Sequence, residues 1–134
     1  MAGWLDTPLL NLLEGGLDGL GLRQKVLADN IANVDTPGFK RSDVNFDKVL
    51  QAAVDNQKNI AVSQEDATTG SVPATGMSAA DFVVKDESTS IRNDGNNVDI
   101  DTEMTKLAEN TLHYNALVTM LTSHLSLLKQ VIKG

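Results

Sequence analysis

The 134-residue chain contains no cysteine. That excludes a disulfide framework and thiolate chemistry, and it leaves the compartment open. Aromatic residues make up only 4% of the chain, too few for a compact aromatic core. No stretch approaches the ~18 uninterrupted apolar residues of a membrane span. Basic charge is scarce: the net charge is −7 and the longest basic run is Lys40-Arg41, so nucleic acid is not an expected partner. The opening Met1-Ala2-Gly3-Trp4-Leu5-Asp6 has neither the basic n-region nor the clean apolar h-region of a secretory leader, and none is expected. The length suits one domain.

What the chain does have is leucine, and the leucines are polarised. Nine of 17 lie in residues 1–34, seven in 99–134, and only Leu50 lies between. Burial is therefore expected in a terminal-helix domain made of 1–34 plus 99–134. Residues 35–98 are expected to form a central turn, loop and β region, partly flexible. The fold class this implies is mainly α, with long N- and C-terminal helices packed as an antiparallel coiled-coil-like pair. A short central helix, a loop and a small β-hairpin complete it.

The spacing predicts a first helix over about 9–34. Leu13, Leu17, Leu20, Leu27, Ile31 and Val34 follow the 4,3 repeat of a coiled-coil seam, with Gln24 in the one polar slot. Gly15, Gly16, Gly19 and Gly21 interrupt its first half, each at a cost of ~1 kcal/mol relative to alanine. Either the helix starts near residue 17, or partners hold its first turns. It must stop at Asp35-Thr36-Pro37-Gly38, since a residue preceding proline avoids the α region and Pro-Gly suits a type II turn.

A short amphipathic helix is predicted over 43–56, with Ser42 as N-cap and Phe46, Val49, Leu50, Ala53 and Val54 on one face. Residues 57–80 read as loop. Phe82–Val84 and Ser88–Arg92 read as two strands of a hairpin, followed by a turn at Asn93-Asp94-Gly95-Asn96.

The clearest element is a helix over about 100–132. Ile100, Met104, Leu107, Thr111, Tyr114, Val118, Leu121, Leu125, Leu128 and Ile132 keep the 4,3 spacing without a slip. Asp99 can cap it, and Asp101 and Glu103 suit the positive end of the helix dipole. A second flank carries Leu117, Met120, Leu127 and Val131, so the apolar face is wider than pairing with one helix needs. Such a face on a long helical hairpin must meet other chains or a membrane. The terminal helices read as built for assembly.

No set of residues points to catalysis. His113 and His124 are 11 residues apart on one helix, ~16 Å, too far to share a metal. An EF-hand loop with Gly95 as its glycine would need aspartate where Ser90 stands. The glycines match neither dinucleotide nor phosphate-loop spacing, and no serine sits in Gly-x-Ser-x-Gly. No enzyme activity, cofactor or metal is expected.

One segment is more specific than a capped helix and a turn require. Leu27 to Lys40, with Asn30-Ile31-Ala32-Asn33 and then Thr36-Pro37-Gly38-Phe39-Lys40 at its core, resembles the N-terminal signature of the bacterial flagellar rod and hook axial proteins. Arg92 to Met104, containing Asp94-Gly95-Asn96-Asn97-Val98-Asp99, is similar to the matching segment of short proximal-rod members of that family. A FlgC-type rod subunit is the alternative within the family. A peripheral membrane protein with amphipathic helices is the alternative outside it.

The resemblance implies a structural subunit whose terminal helices pack into an inner tube, with the middle of the chain outside. Implied partners are further copies, rod proteins such as FlgC and FlgF, and the adaptor FliE with the base ring. The implied route is the flagellar type III export apparatus, with no cleaved signal peptide. The implied place is the basal-body rod, which crosses the periplasmic space. Asn30 and Asn33 would fix the end of the first helix, Thr36 would occupy a turn position, and Pro37-Gly38 would reverse the chain. The two leucine-rich seams would carry subunit packing. Phe46-Asp-Lys-Val-Leu50 is similar to the short signal by which early export substrates are recognised, although plain helix packing explains the pair more simply.

Overall fold

The computed structural model describes residues 7–63 and 79–134. Three helices dominate: α1 (Pro8–Ala32), α2 (Phe46–Ser63) and α3 (Ile100–Lys133). Two short strands, β1 (Ser42–Val44) and β2 (Val83–Lys85), form an antiparallel pair in the register Ser42–Lys85, Asp43–Val84 and Val44–Val83. A 3-10 turn at Ala79–Phe82 leads into β2.

The α1 helix starts well before residue 17. Thr7 caps it, its Oγ1 accepting from the Leu10 amide at 3.3 Å, and Pro8 needs no donor partner in the first turn. Three of the four glycines are contact points. A Cβ at Gly15 would sit 2.6 Å from the Ala53 Cβ, and one at Gly19 would sit 2.8 Å from Val49 Cγ1 and 3.0 Å from Phe46 Cε2. A Cβ at Gly16 would meet Leu117 of α3 at 3.1 Å. The helix thus gives up propensity where α2 and α3 press against it. Gly21 has open space around it.

Leu13, Leu20 and Leu27 of α1 are buried. Each contributes ~1.5–3 kcal/mol by leaving water. The α3 helix runs antiparallel to α1, since Asn30, Leu20 and Gly16 meet Glu103, Asn110 and Leu117 in turn. The face of α3 turned to α1 differs from the expected seam. It consists of Glu103, Leu107, Asn110, Leu117, Leu121, His124 and Leu128. Leu107, Leu121 and Leu128 belong to both sets, but Glu103, Asn110, Leu117 and His124 replace Met104, Thr111, Val118 and Leu125. The helix is turned by roughly 50°, half of one residue step. Ile100, Met104, Tyr114, Val118, Leu125 and Ile132 are left exposed.

The centre of the chain departs further from expectation. Ser42 does not cap a helix; it lies in β1, and Asn45 caps α2 by accepting from the Lys48 amide at 3.2 Å. The helix continues to Ser63, through residues read as loop; positions 64–78 lie outside the described residues. The strand partner of Val83–Lys85 is β1, and Ser88–Arg92 is not a strand.

Candidate functional site

The two segments singled out in the sequence, 30–40 and 94–99, meet at the end of the α1–α3 pair in a polar clasp. Its centre is Asn30, fully buried on the last turns of α1. The Asn30 amide donates to the Ser42 carbonyl at 2.7 Å and to Glu103 Oε2 at 3.0 Å, while its Oδ1 accepts from the Ser42 amide at 2.9 Å. One side chain therefore ties α1 to β1 and to α3. Its expected role in ending α1 falls to Asn33 alone, which stands at the C-cap and donates to Asp29 O at 2.8 Å.

Glu103 is 1% exposed and is not a surface acid placed for the helix dipole. Its second oxygen accepts from Arg41 Nε at 2.7 Å. The Arg41 guanidinium also pairs with Asp43 Oδ2 at 3.3 Å. Asp43 in turn lies 3.5 Å from Arg23 Nε on α1 and 3.6 Å from Lys106 Nζ on α3. Burial works against charge on both Arg41 and Asp43, and their partners prevail. Glu103 and Asp43 hold the Arg41 pKa above its ordinary value. The Val44 amide, Arg23, Arg41 and Lys106 hold the Asp43 carboxyl below its own. A buried carboxylate is retained only when paired and hydrogen-bonded, as here.

The second segment closes the clasp with two buried asparagines. The Asn96 side-chain amide donates to the carbonyls of Asn33, Val34 and Thr36 at 3.0, 3.0 and 2.9 Å, and its Oδ1 accepts from the Val98 amide at 2.7 Å. These are carbonyls that α1 leaves without intrahelical partners as it ends, together with those of the following turn. Asn97 accepts from the Arg41 amide at 2.6 Å and donates to the Asp86 carbonyl at 2.7 Å. In the turn between, the Phe39 amide donates to Thr36 O at 3.3 Å and Gly38 has φ 72°, the left-handed value of a type II turn. The Gly38 amide donates to Asp94 O at 2.9 Å, and a Cβ at Gly95 would lie 3.6 Å from Gly38 Cα. Lys40 Nζ reaches Thr89 O at 2.8 Å. Val98 is buried, Asp99 caps α3 through the Asp101 amide at 3.1 Å, and Ile31 and Phe39 are half-buried.

The sequence that builds this clasp is similar to that of known proteins. A family model described as flagella basal body rod protein matches residues 10–40, which span α1 and the turn after it. The flagellar basal body rod protein FlgB of Borrelia hermsii is 40% identical over 128 residues, covering 92% of this chain and 95% of that protein. FlgB of Bacillus subtilis is 35% identical over 91% of each chain, and FlgB of Salmonella typhimurium is 34% identical over 84% of this chain and 83% of its own. The chain belongs to the FlgB family.

Within this FlgB-family chain the clasp is a joint between segments. Among the described residues no group of histidines and carboxylates could hold a metal ion. Glu103, Arg41, Arg23 and Lys106 were missed as functional residues in the sequence. The available signal was phase: Glu103 stands seven residues before Asn110, and that repeat continues through Leu117 and His124. Phe46 and Leu50 lie on α2, with the Phe46 ring against Gly19 of α1. Many of the large apolar side chains of α3 are exposed. Met120, Leu127 and Val131 are exposed on one flank, with Met104, Val118 and Leu125 on the other, and Leu112 is exposed on the back of the helix.

Proposed function

We propose that the chain is a structural, non-catalytic subunit of the flagellar basal-body rod, seated in its proximal part. Similarity to FlgB proteins over about nine-tenths of both chains carries this reading. The exposed apolar flanks of α3 support it, because they offer surface for neighbouring subunits. Further copies and other rod proteins of FlgC and FlgF type are the partners in this reading, with the adaptor FliE and the base ring at the foot of the rod. The α1–α3 pair serves as the inner, tube-forming part and residues 35–98 as the outer part. The subunit travels through the flagellar type III export apparatus to the periplasmic rod.

Deletion of the gene in its host tests this. The expected result is loss of swimming and of rods in isolated basal bodies, both restored by the wild-type gene; normal basal bodies without it overturn the reading. The pair Phe46 and Leu50 is a separable question. Replacing both with alanine assigns them to export if secretion fails while helicity holds, and to packing if helicity fails.

A further inference from the structure

Gly21 is the one glycine of α1 that no contact within the chain requires, since a Cβ there would meet nothing within 4 Å. Beside it α1 and α3 wall an open groove of about 400 Å³, lined by Gly21, Gln24, Lys25, Thr111 and Tyr114. The groove lies away from α2, because Gly21 stands roughly 200° around α1 from Gly19, which meets Val49 and Phe46.

The groove adjoins an apolar row. Thr111 belongs to the seven-residue repeat Met104, Thr111, Val118, Leu125 and Ile132 of α3. The four apolar members are between 39% and 63% exposed, and Ile100 and Tyr114 beside them are 40% and 41% exposed. A row that keeps one face over roughly 42 Å fits another helix better than a small ligand. Charge selects the helix. Asp101 and Lys129, both exposed, stand on the neighbouring row at opposite ends of α3, and no acid follows Glu109 in the helix. A second α3 laid antiparallel brings each Asp101 to the other's Lys129. The same alignment sets Met104 opposite Leu125 and carries Val118 onto the groove at Thr111 and Tyr114. A parallel pair in register sets Lys129 beside Lys129 and Thr111 beside Thr111, and leaves the groove empty.

We propose that this face binds the same face of a second copy, α3 antiparallel on α3 about a two-fold axis near Asn115, with Val118 of each copy over the groove of the other. The contact is isologous and closes at two chains. Its apolar part covers roughly 1,000 Å² counting both copies, near the lower edge of a specific interface, so the pair parts readily. A rod whose subunits all point one way cannot hold this pair. It is a state of the free chain that covers the flank until rod neighbours replace the partner, and only that last step rests on the rod assignment.

The purified full chain tests the pairing without reference to motility. Sedimentation from micromolar to millimolar concentration should show a monomer–dimer equilibrium. With no native cysteine, a single spin label at the exposed position Ser126, introduced as Ser126→Cys, reports direction. Labels on an antiparallel pair lie about 33 Å apart along the axis, and labels on a parallel pair lie side by side. Val118→Gln/Leu125→Gln should raise the dissociation constant at least ~10-fold, with helicity and denaturation midpoint unchanged. Gly21→Gln, which fills the groove with a polar chain, should weaken pairing as strongly. Asp101→Lys should weaken it several-fold, and Asp101→Lys/Lys129→Asp should restore it to within about twofold of wild type. A monomer at every concentration, a short label distance, dimerisation unaffected by Val118→Gln/Leu125→Gln, or a double charge variant as weak as the single one overturns the proposal.

Discussion

The two ends of α3 invert the usual order of a soluble helix. Near its start the buried side chains are polar: Glu103 and Asn110 are enclosed and bonded to α1 or to the segment after it. Towards its end the exposed side chains are apolar: Leu127 is 60% exposed and Val131 79%. In the first region the buried polar groups, Asn110 Oδ1 excepted, find partners within the chain, on α1 and on Arg41. The second has large apolar surface and nothing in the described chain to cover it. Polar burial supplies a defined joint, whereas apolar exposure leaves a surface uncovered.

Removing the centre of the clasp should have the largest effect on the isolated chain. Glu103→Ala leaves Arg41 and Asn30 without their shared acceptor. Breaking a buried pair from one side costs ~3–5 kcal/mol. Arg41 keeps some contact with water, so a loss of about 3 kcal/mol is expected in urea unfolding, with α1 and α3 separating at the clasp end. A loss below about 1 kcal/mol would make the clasp a surface network and erase the contrast between the two regions.

The glycines of α1 provide a smaller, two-sided test. Gly15→Ala drives a Cβ to 2.6 Å from that of Ala53. Overpacking costs ~1–3 kcal/mol, and the gain in helix propensity returns ~1 kcal/mol. Thermal unfolding should show a net loss of about 1 kcal/mol. Gly21→Ala, with open space around it, should instead gain ~0.4–1 kcal/mol. Equal gains at both sites would show that α2 does not press on α1.

The depressed carboxyl pKa of Asp43 gives the clasp an acid dependence. For a group whose folded pKa lies below its unfolded value of ~3.9, the stabilisation is full above that value and disappears as pH falls through the folded pKa. Stability should therefore drop below about pH 4. Asp43 is partly exposed, so Asp43→Asn should remove less than ~1 kcal/mol of that dependence. A pH profile unchanged by Asp43→Asn would dissociate Asp43 from the joint.

The terminal helices were legible in the sequence because leucine repeats at seven-residue intervals in both. The rotation of α3 was not. The more apolar row, through Met104, Val118 and Leu125, looked like the seam, but the row with Glu103 and Asn110 is the one turned to α1. Partners fix that choice, and they lie 73 residues away in Asn30 and 90 away in Leu20. No local pattern encodes such distances. The strand at Val83–Lys85 was legible from Phe82–Val84, but its partner was not: Ser42–Val44 is three residues long, too short for an alternating signature. Asn30-Ile-Ala-Asn33 and Asp94-Gly95-Asn96-Asn97 were legible as motifs of a family, and only the fold shows that each is the other's partner.

The smallest expected effect on stability is at the apolar end of α3, and it separates the two regions most sharply. Leu127→Gln and Val131→Gln alter side chains that touch water already, so unfolding free energy should stay within ~0.5 kcal/mol of wild type. If those side chains are covered by neighbouring subunits in the rod, the same substitutions remove apolar contacts that recur at every copy. Swimming should then be lost from a strain that makes and secretes the variant normally. A strain carrying both substitutions that swims like the wild type would show that this flank faces solvent in the assembled rod. The burden of assembly would then pass to the opposite flank, where Val118→Gln and Leu125→Gln pose the same test.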